Sequence, residues 1–202
     1  MFDPDHSLRV VEGAELGSLT HCDLDSVDLS VFGDSRAADA GDDFGNPALY
    51  RAWYERNPEI YSFLLSGATL VGYGNAMPLI DSAFAQVLDG TISDGHIEPS
   101  MIRRYDEPGD YKLYLCSLAV VPTFRTKVAG VWTMYGAFQR KIEALRARGI
   151  RITEIASIVW SKEGRLICYG FGMSYHGPHV RRGDVYHGTL VDGRFPNQLA
   201  DR

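Results

Sequence analysis

The segment from Leu118 to Gly130 has the residue types and spacing of an anion-binding turn. A strand of mostly apolar residues ends at Pro122, a short turn with Arg125 and Lys127 follows, and a long helix begins directly after it. The first N–H groups of a helix have no partners within the helix and carry a partial positive charge, so phosphates bind there readily. Each amide-to-phosphate hydrogen bond is charge-assisted and contributes roughly 1.5–3 kcal/mol. The residues fit an ordinary strand-to-helix turn with two solvated cations equally well, so both interpretations stay open.

Two neighbouring residues further along the chain, Cys168 and Tyr169, could donate a proton. A thiol has an ordinary pKa of about 8.5 and a phenol one of about 10, so either group could act as a general acid. Adjacent residues on a helix point about 100° apart, so both cannot face the same reacting atom. A small buried packing residue is an equally good interpretation of Cys168.

Three histidines, His176, His179 and His187, lie in the C-terminal part of the chain. The stretch Ser-Tyr-His-Gly-Pro-His at 174–179, which holds the first two, has no acidic partner at ligand spacing, and the three cysteines of the chain are far apart in sequence. Lone histidine clusters of this kind are weak evidence for a metal centre. We therefore expect a surface loop after a strand here, and no metal site.

The apolar pattern of the chain predicts the helices and strands that would position these residues. Apolar residues at steps of three and four from Val131 to Leu145 predict an amphipathic helix that ends at Gly149. Ser161 is a good N-cap for a shorter helix through about Gly170. Similar reasoning predicts helices at about 47–56 and 81–88, and strands at about 60–65, 69–79, 111–121, 150–159, 173–175 and 185–190. A hairpin followed by alternating strands and helices indicates a mixed α/β fold.

Composition and charge narrow the class of protein. The chain has 202 residues, and we expect a single domain over residues 1–202 with an acidic N-terminal segment at 1–45. The net charge of −6 makes nucleic acid a poor partner. Eleven acidic residues and two Arg give residues 1–43 a net charge of −9, which fits an acidic wall near a cationic substrate or a solvated surface. Because neither a signal peptide nor a run of roughly 18 apolar residues is found, we expect a cytoplasmic protein with no membrane partner.

The turn described first resembles the acetyl-CoA signature of the GCN5-related N-acetyltransferase (GNAT) superfamily. The matching residues are Val120, Pro122, Arg125, Lys127 and Gly130. In that family the turn wraps the CoA pyrophosphate with its amides, and the preceding strand offers its backbone to the pantetheine arm.

Carried over to this chain, the resemblance implies that backbone groups of Leu118 and Val120 hold the pantetheine. It implies a phosphate cradle made of Arg125, Thr126, Lys127, Val128, Ala129 and Gly130. Val128 stands where the family usually has glycine, which is tolerable at negative φ and strained at positive φ.

Residues 161–173 resemble a later motif of the same family, Asn-x-x-Ala-x-x-Leu-Tyr-x-x-x-Gly-Phe. Ser161 takes the place of Asn, Gly164 of Ala, Ile167 of Leu, and Cys168 of the Tyr that gives a proton to the leaving thiolate in many relatives. The resemblance therefore implies that Ser161 binds the cofactor and that Cys168, or Tyr169 beside it, is the catalytic acid.

The resemblance covers about residues 60–175 and implies an acyl-CoA N-acyltransferase-like fold. That fold is mixed α/β, with a mostly antiparallel central sheet flanked by helices and splayed central strands. The implied activity is transfer of acetyl from acetyl-CoA to a small-molecule amine or an amino terminus, by direct attack in a ternary complex. Homodimers are common in the family.

Two other functions stay open, a non-catalytic acyl-CoA-binding module with a degenerate active site and a longer-chain acyltransferase fed by acyl-CoA or an acyl carrier protein. The general base is a further question. The predicted strand at 111–121 contains no carboxylate of the kind that relatives often use as a base. A water chain or a group on the acceptor side would have to accept the proton of the amine.

Overall fold

A computed structural model of the chain describes residues 8–16, 21–32, 46–125, 129–191 and 194. Within these residues the strands are β1 (Leu8–Glu12), β2 (Tyr61–Ser66), β3 (Thr69–Leu79), β4 (Gly109–Val120), β5 (Ile150–Val159), β6 (Ser174–Pro178) and β7 (Asp184–Thr189). The helices are α1 (His21–Phe32), α2 (Pro47–Arg56), α3 (Asp81–Leu88), α4 (Pro122–Arg125), α5 (Ala129–Ala147) and α6 (Lys162–Gly170).

The strands form a seven-stranded sheet in the order β1-β2-β3-β4-β5-β7-β6. β4 and β5 are parallel and are joined through α5, which is the usual crossover between parallel strands. The pairs β1–β2, β2–β3, β5–β7 and β6–β7 are antiparallel. The predicted fold class, a mixed and mostly antiparallel sheet flanked by helices, is confirmed.

The chain divides into two compact units. The first unit comprises residues 1–75 and 117–140, and the second comprises residues 76–116 and 141–202. β3, β4 and α5 each contribute residues to both units. A single domain over residues 1–202 stays a prediction.

The core of the first unit joins its strands to α5. Its buried residues are Leu64, Val71, Val120 and Met134, and the partly buried residues packed against them include Leu8, Val10, Leu118 and Val131. Residues i and i+2 of a strand share a face, so Leu8 and Val10 place β1 against this core. β1 is therefore part of the folded unit, although its residues belong to the acidic N-terminal segment.

α1 is also built from the acidic segment. Leu24, Val27 and Asp28 are buried, and their spacing of three and four residues places them on one face of the helix. The Asp28 carboxylate accepts hydrogen bonds from the hydroxyls of Tyr50 on α2, at 2.9 Å, and Tyr73 on β3, at 2.6 Å. A buried carboxylate needs such partners because transfer of an unpaired charge from water is costly.

In the second unit, helices pack on β5 and its neighbour. α3 contacts β5 and β7, and α6 contacts β5. The side chains of Phe84, Val87, Ile155, Val185 and Cys168 are buried there.

Most predicted boundaries agree with the structure to within one or two residues, with a difference at the turn after β4. β4 ends at Val120, as Pro122 predicts, but residues 122–125 form the short helix α4 where a turn was expected. Proline suits the first position of a helix because its φ is already fixed near the helical value. In the part of the chain that the structure describes, no helix is both long and apolar enough to cross a membrane.

Candidate functional site

The parallel pairing of β4 and β5 stops before either strand ends. The register runs from Gly109 opposite Ile150 to Tyr114 opposite Ala156, whereas β4 continues to Val120 and β5 to Val159. This early end of the pairing is the feature expected of splayed central strands.

A side chain bonds to the backbone where the pairing stops. The buried Ser157 hydroxyl on β5 donates to the carbonyl of Leu115 on β4 over 2.8 Å. Leu115 is the first residue of β4 beyond the last register pair. Its carbonyl therefore accepts a hydrogen bond from a side-chain hydroxyl, where a residue inside the paired region would accept one from a backbone amide of β5. Ser157 also has a side-chain hydrogen bond with Cys168 on α6. The three residues link α6 to β5 and β4 at the point where the ladder ends.

The predicted cradle begins at the end of β4 and is close-packed where it is described. The Val121 amide donates to the Val71 carbonyl over 2.9 Å, which holds the end of β4 to β3. A Cβ added at Gly130, in the first turn of α5, would lie 3.0 Å from the Phe124 carbonyl oxygen and 3.0 Å from Val120 Cγ1. The absence of a side chain at Gly130 therefore lets the start of α5 approach the end of β4 closely.

Not every cradle residue lies in the described part of the chain. Thr126, Lys127 and Val128 lie outside it, as do the side chains of Arg125 and Ala129. The expectation about φ at Val128 therefore falls outside the described residues. Leu118 packs with its side chain against the core of the first unit, as does Val120.

Cys168 faces the interior of the second unit. Its exposed fraction is 2%, and burial raises the pKa of its thiol to about 12, although the hydrogen bond with Ser157 opposes the rise. Loss of the proton would leave a thiolate in a site with little solvation, so the thiol stays protonated over the physiological range. Cys168 therefore fits the second interpretation given above, a small buried packing residue.

Tyr169 points outward from the same helix and is 56% exposed. Its ring meets that of Tyr186 edge to face, with the ring centroids 5.6 Å apart. A side-chain hydrogen bond with Tyr169 and then burial raise the pKa of Tyr186 to about 12. Tyr186 therefore stays neutral and can donate a hydrogen bond to the hydroxyl oxygen of Tyr169.

Ser161 caps α6. Its side-chain oxygen accepts from the Gly164 amide over 3.0 Å, so the predicted N-cap is confirmed. A Cβ at Gly164 would lie 2.7 Å from Val159 Cγ1, which explains the glycine at this position. That Ser161 binds a cofactor stays a prediction.

The three histidines do not share a surface loop, contrary to expectation. His176 is exposed on β6, His187 is half-buried on β7, and His179 is buried after β6. His179 Nδ1 accepts from the amides of Arg181 and Arg182, both at 3.4 Å, and its Nε2 lies 3.2 Å from the Ile92 carbonyl. Among the described residues, no group of three His, Cys, Asp or Glu side chains is arranged to hold a metal ion.

His187 has an acidic partner that sequence neighbours do not reveal. Its Nε2 lies 2.9 Å from Glu154 Oε2 on β5, thirty-three positions away in the chain. The sequence does hold one signal of this pair, because Glu154 interrupts the otherwise largely apolar run from Ile150 to Val159. A carboxylate in such a strand requires a polar or charged partner. The sequence does not show which residue this partner is, because the strand order of the sheet is not known from it.

The chain resembles several solved structures. No protein-family model and no curated protein sequence matches it. It is similar to PH1933 from Pyrococcus horikoshii OT3, with a TM-score of 0.56, 12% identity, and coverage of 92% of this chain and 99% of that one. It is similar to an acetyltransferase assigned to the GNAT family from Desulfovibrio desulfuricans, with a TM-score of 0.51, 14% identity, and coverage of 91% and 98%.

A third similar structure is the C-terminal condensation domain of Ebony in complex with beta-alanyl-dopamine. Here the TM-score is 0.53, the identity 8%, and the coverage 91% of this chain and 99% of that domain. At such low sequence identity, the similarity to these structures shows the fold alone. Together with the strand order and the early end of the β4–β5 pairing, these likenesses show that the chain has the fold of the GCN5-related N-acetyltransferases.

Proposed function

We propose that the chain is an acyl-CoA-dependent acyltransferase, and most directly an N-acetyltransferase that moves acetyl from acetyl-CoA to an amine. The observation that carries the proposal is the parallel pairing that stops at Tyr114 and Ala156 while β4 continues to Val120, ahead of α4 and α5. A strand that continues past its ladder can offer backbone groups to a ligand, and a helix start beyond it can bind phosphate.

The cofactor would bind along the end of β4 and at the start of α5. Backbone groups of Leu118 and Val120 would hold the pantetheine arm, and residues 125–130 would surround the pyrophosphate. Close packing at Gly130 supports this arrangement, because it keeps the first turn of α5 near the end of the strand. Acetyl-CoA supplies the activated acyl group as a thioester, and no metal is required for this chemistry.

The reaction would be direct attack of a neutral amine on the thioester carbonyl in a ternary complex. The strand amide near Val120 would donate to the developing oxyanion, an interaction that strengthens as negative charge builds on that oxygen. A small-molecule amine and an amino terminus both fit.

The proton for the leaving thiolate would come from Tyr169 rather than from Cys168. Tyr169 is exposed, and its hydroxyl has a hydrogen bond with the neutral Tyr186. The Cys168 thiol is buried and holds its proton to a pKa of about 12, so it is a weak acid with poor access to a substrate. A proton donor in the transition state typically contributes about 10²- to 10⁴-fold to the rate.

Two single substitutions test the assignment of the acid. Tyr169→Phe should lower kcat by about 100-fold or more, whereas Cys168→Ala should leave kcat within about threefold of the wild-type value. Acetyl-CoA affinity, measured by calorimetry, should be unchanged in both variants. A large loss of kcat in Cys168→Ala together with normal turnover in Tyr169→Phe would reverse the assignment.

A second function has one observation in its favour. Cys168 occupies the position of the family's usual proton donor and is buried, which suits a module that binds acyl-CoA without catalysis. Such a module would be stabilised by CoA against thermal unfolding and would release no thiol with any amine. A longer-chain acyltransferase would release thiol faster from longer acyl-CoA substrates than from acetyl-CoA.

A further inference from the structure

The outer face of α5 carries a tryptophan, a glycine and an arginine at steps of one helical turn. Trp132, Gly136 and Arg140 are four residues apart, so they lie along the same side of the helix. Met134 and Phe138 are buried on the opposite side, and Met134 packs on the core of the first unit. Residues 117–140 all belong to that unit, so this face, the end of β4 and the start of α5 form part of one compact body.

Trp132 has an aromatic surface that is open to a ligand. Its side chain is 61% exposed, although tryptophan is highly buried on average in folded proteins. The ring of Tyr135 meets the indole edge to face, with the centroids 5.5 Å apart and the planes at 81°. Such a contact covers at most one face of the indole, so the other face can accept a planar group. Because helical side chains lean toward the N-terminus, the indole lies over the first turn of α5, where the proposed cofactor phosphates would bind.

Arg140 folds back along the helix toward Trp132. A Cβ added at Gly136 would lie 3.3 Å from a terminal guanidinium nitrogen of Arg140, so the guanidinium lies over Gly136. The absence of a side chain at Gly136 leaves room for the cation one turn before its own Cα. No ion pair within the described residues includes Arg140, which is exposed. The guanidinium can therefore pair with an anionic ligand.

The spacing of the ring and the cation matches one end of coenzyme A. In CoA an adenine and a 3′-phosphate are attached to the same ribose, and the pyrophosphate joins that ribose to the pantetheine arm. Trp132 and Gly136 are one turn apart, about 6 Å along the helix axis. A base stacked on the indole would therefore have its sugar phosphate within reach of the guanidinium over Gly136. Stacking on aromatic rings and pairing of phosphate with arginine are common ways of binding a nucleotide.

We infer that Trp132 and Arg140 bind the nucleotide end of the proposed cosubstrate. The indole stacks on the adenine, and the guanidinium pairs with the 3′-phosphate of the ribose. The inference rests on the proposed binding of CoA and does not depend on turnover. It also identifies the donor class, because an acyl carrier protein presents phosphopantetheine without adenosine and would gain nothing from this face.

The first test measures, by calorimetry, the affinity of the full-length chain for CoA and for 4′-phosphopantetheine, which lacks the adenosine. Trp132→Ala should weaken CoA binding by about fivefold or more and leave phosphopantetheine binding unchanged. Trp132→Phe keeps a smaller ring and should lose less. The matched control is Tyr175→Ala, which removes a ring of similar exposure, 55%, from β6 in the second unit. The control should bind CoA within about twofold of wild type.

The second test separates the cation from the ring. Arg140→Gln should weaken CoA binding by about threefold at low ionic strength, and high salt should remove the difference. Binding of dephospho-CoA, which lacks the 3′-phosphate, should be unchanged. Arg51→Gln, which replaces an exposed arginine on α2, is the control and should bind CoA like wild type.

Indole fluorescence gives a third measurement that reports on Trp132 directly. The chain contains three tryptophans, and Trp53 and Trp160 remain in Trp132→Phe. CoA should quench the fluorescence of wild type, and most of this quenching should be absent in the variant. Phosphopantetheine should quench neither protein.

Unchanged CoA affinity in Trp132→Ala would overturn the inference, as would an equal loss for CoA and phosphopantetheine. An equal effect of Arg140→Gln on CoA and dephospho-CoA would also overturn it. A change of oligomeric state in Trp132→Ala with CoA affinity intact would instead make this face a protein contact. If wild type binds neither CoA nor phosphopantetheine, the proposed function fails and the inference fails with it.

Discussion

At the residue scale, Cys168 and Tyr169 are both candidate proton donors, and they differ in how far their side chains are buried. Cys168 and Tyr169 are adjacent on α6, yet Cys168 is 2% exposed and Tyr169 is 56% exposed. Residue type alone suggests that the thiol is the better acid, since its ordinary pKa is lower than that of a phenol. Burial reverses this order by raising the pKa of the thiol to about 12.

Cys168 should make stability depend on pH in the alkaline range. The folded thiol titrates at about 12 against a reference value of 9.0, so between these values only the unfolded chain loses this proton. Rising pH therefore favours unfolding, and the contribution of Cys168 is complete below pH 9 and declines above it. The free energy of unfolding of wild type should fall by up to about 1.4 kcal/mol per pH unit more steeply than that of Cys168→Ala. Urea unfolding at several pH values measures both slopes, and parallel slopes would contradict the burial argument.

Residue types reveal local interactions and do not reveal partners that are distant in sequence. The type of Ser161 and its place before a helix identified it as an N-cap, because capping is a local interaction. The pair of Glu154 and His187 depends on two strands meeting in the sheet, and no local spacing records that meeting. Local chemistry was therefore predictable, and partners distant in sequence were not.

At the element scale, helices and strands with a clear local apolar pattern were predicted, and an element whose pattern depends on distant partners was missed. The amphipathic helix α5 has apolar periodicity strong enough to identify it, and the strands β4 and β5 are identified by runs of strand-favouring residues. α1 was missed because one of its buried positions is Asp28, which breaks the apolar pattern while its carboxylate is satisfied by two tyrosine hydroxyls. The helix can be recognised only when those distant hydroxyls are known.

Close contact between β3 and β4 gives a prediction at this scale. A Cβ at Gly72 would lie 2.7 Å from the Ala119 carbonyl oxygen and 3.2 Å from the Val120 Cα, so backbone would have to move. Gly72→Ala should therefore lower the free energy of unfolding by about 1–3 kcal/mol. Gly177→Ala, on β6, is the matched control because a Cβ there meets nothing within 4 Å.

The control should stay within about 0.5 kcal/mol of wild type, as expected of a surface substitution away from special features. Chemical denaturation of the three proteins in parallel gives the comparison. Equal stability of Gly72→Ala and Gly177→Ala would show that β3 and β4 are not in close contact at this position. Because Val120 belongs to the proposed pantetheine strand, Gly72→Ala should also weaken acetyl-CoA binding.

At the scale of the whole molecule, charge constrains how the proposed substrates would bind. The chain carries a net charge of −6, which favours cationic amines and opposes a polyanion such as acetyl-CoA. We therefore expect the proposed cofactor to bind through local features, namely the N–H groups at the start of α5 and the cations Arg125 and Lys127. The acidic N-terminal part contributes to the fold through β1 and α1, so its −9 charge is not carried by a solvated surface alone.

The central claim is that this chain transfers an acyl group from a CoA thioester to an amine. The most direct measurement is free thiol release from acetyl-CoA and longer acyl-CoA substrates, with a mixed panel of amines, alongside thermal unfolding in the presence of CoA. The account predicts a rise in melting temperature with CoA and amine-dependent thiol release that Tyr169→Phe lowers by about 100-fold or more. No stabilisation by any CoA species, together with no thiol release, would contradict it.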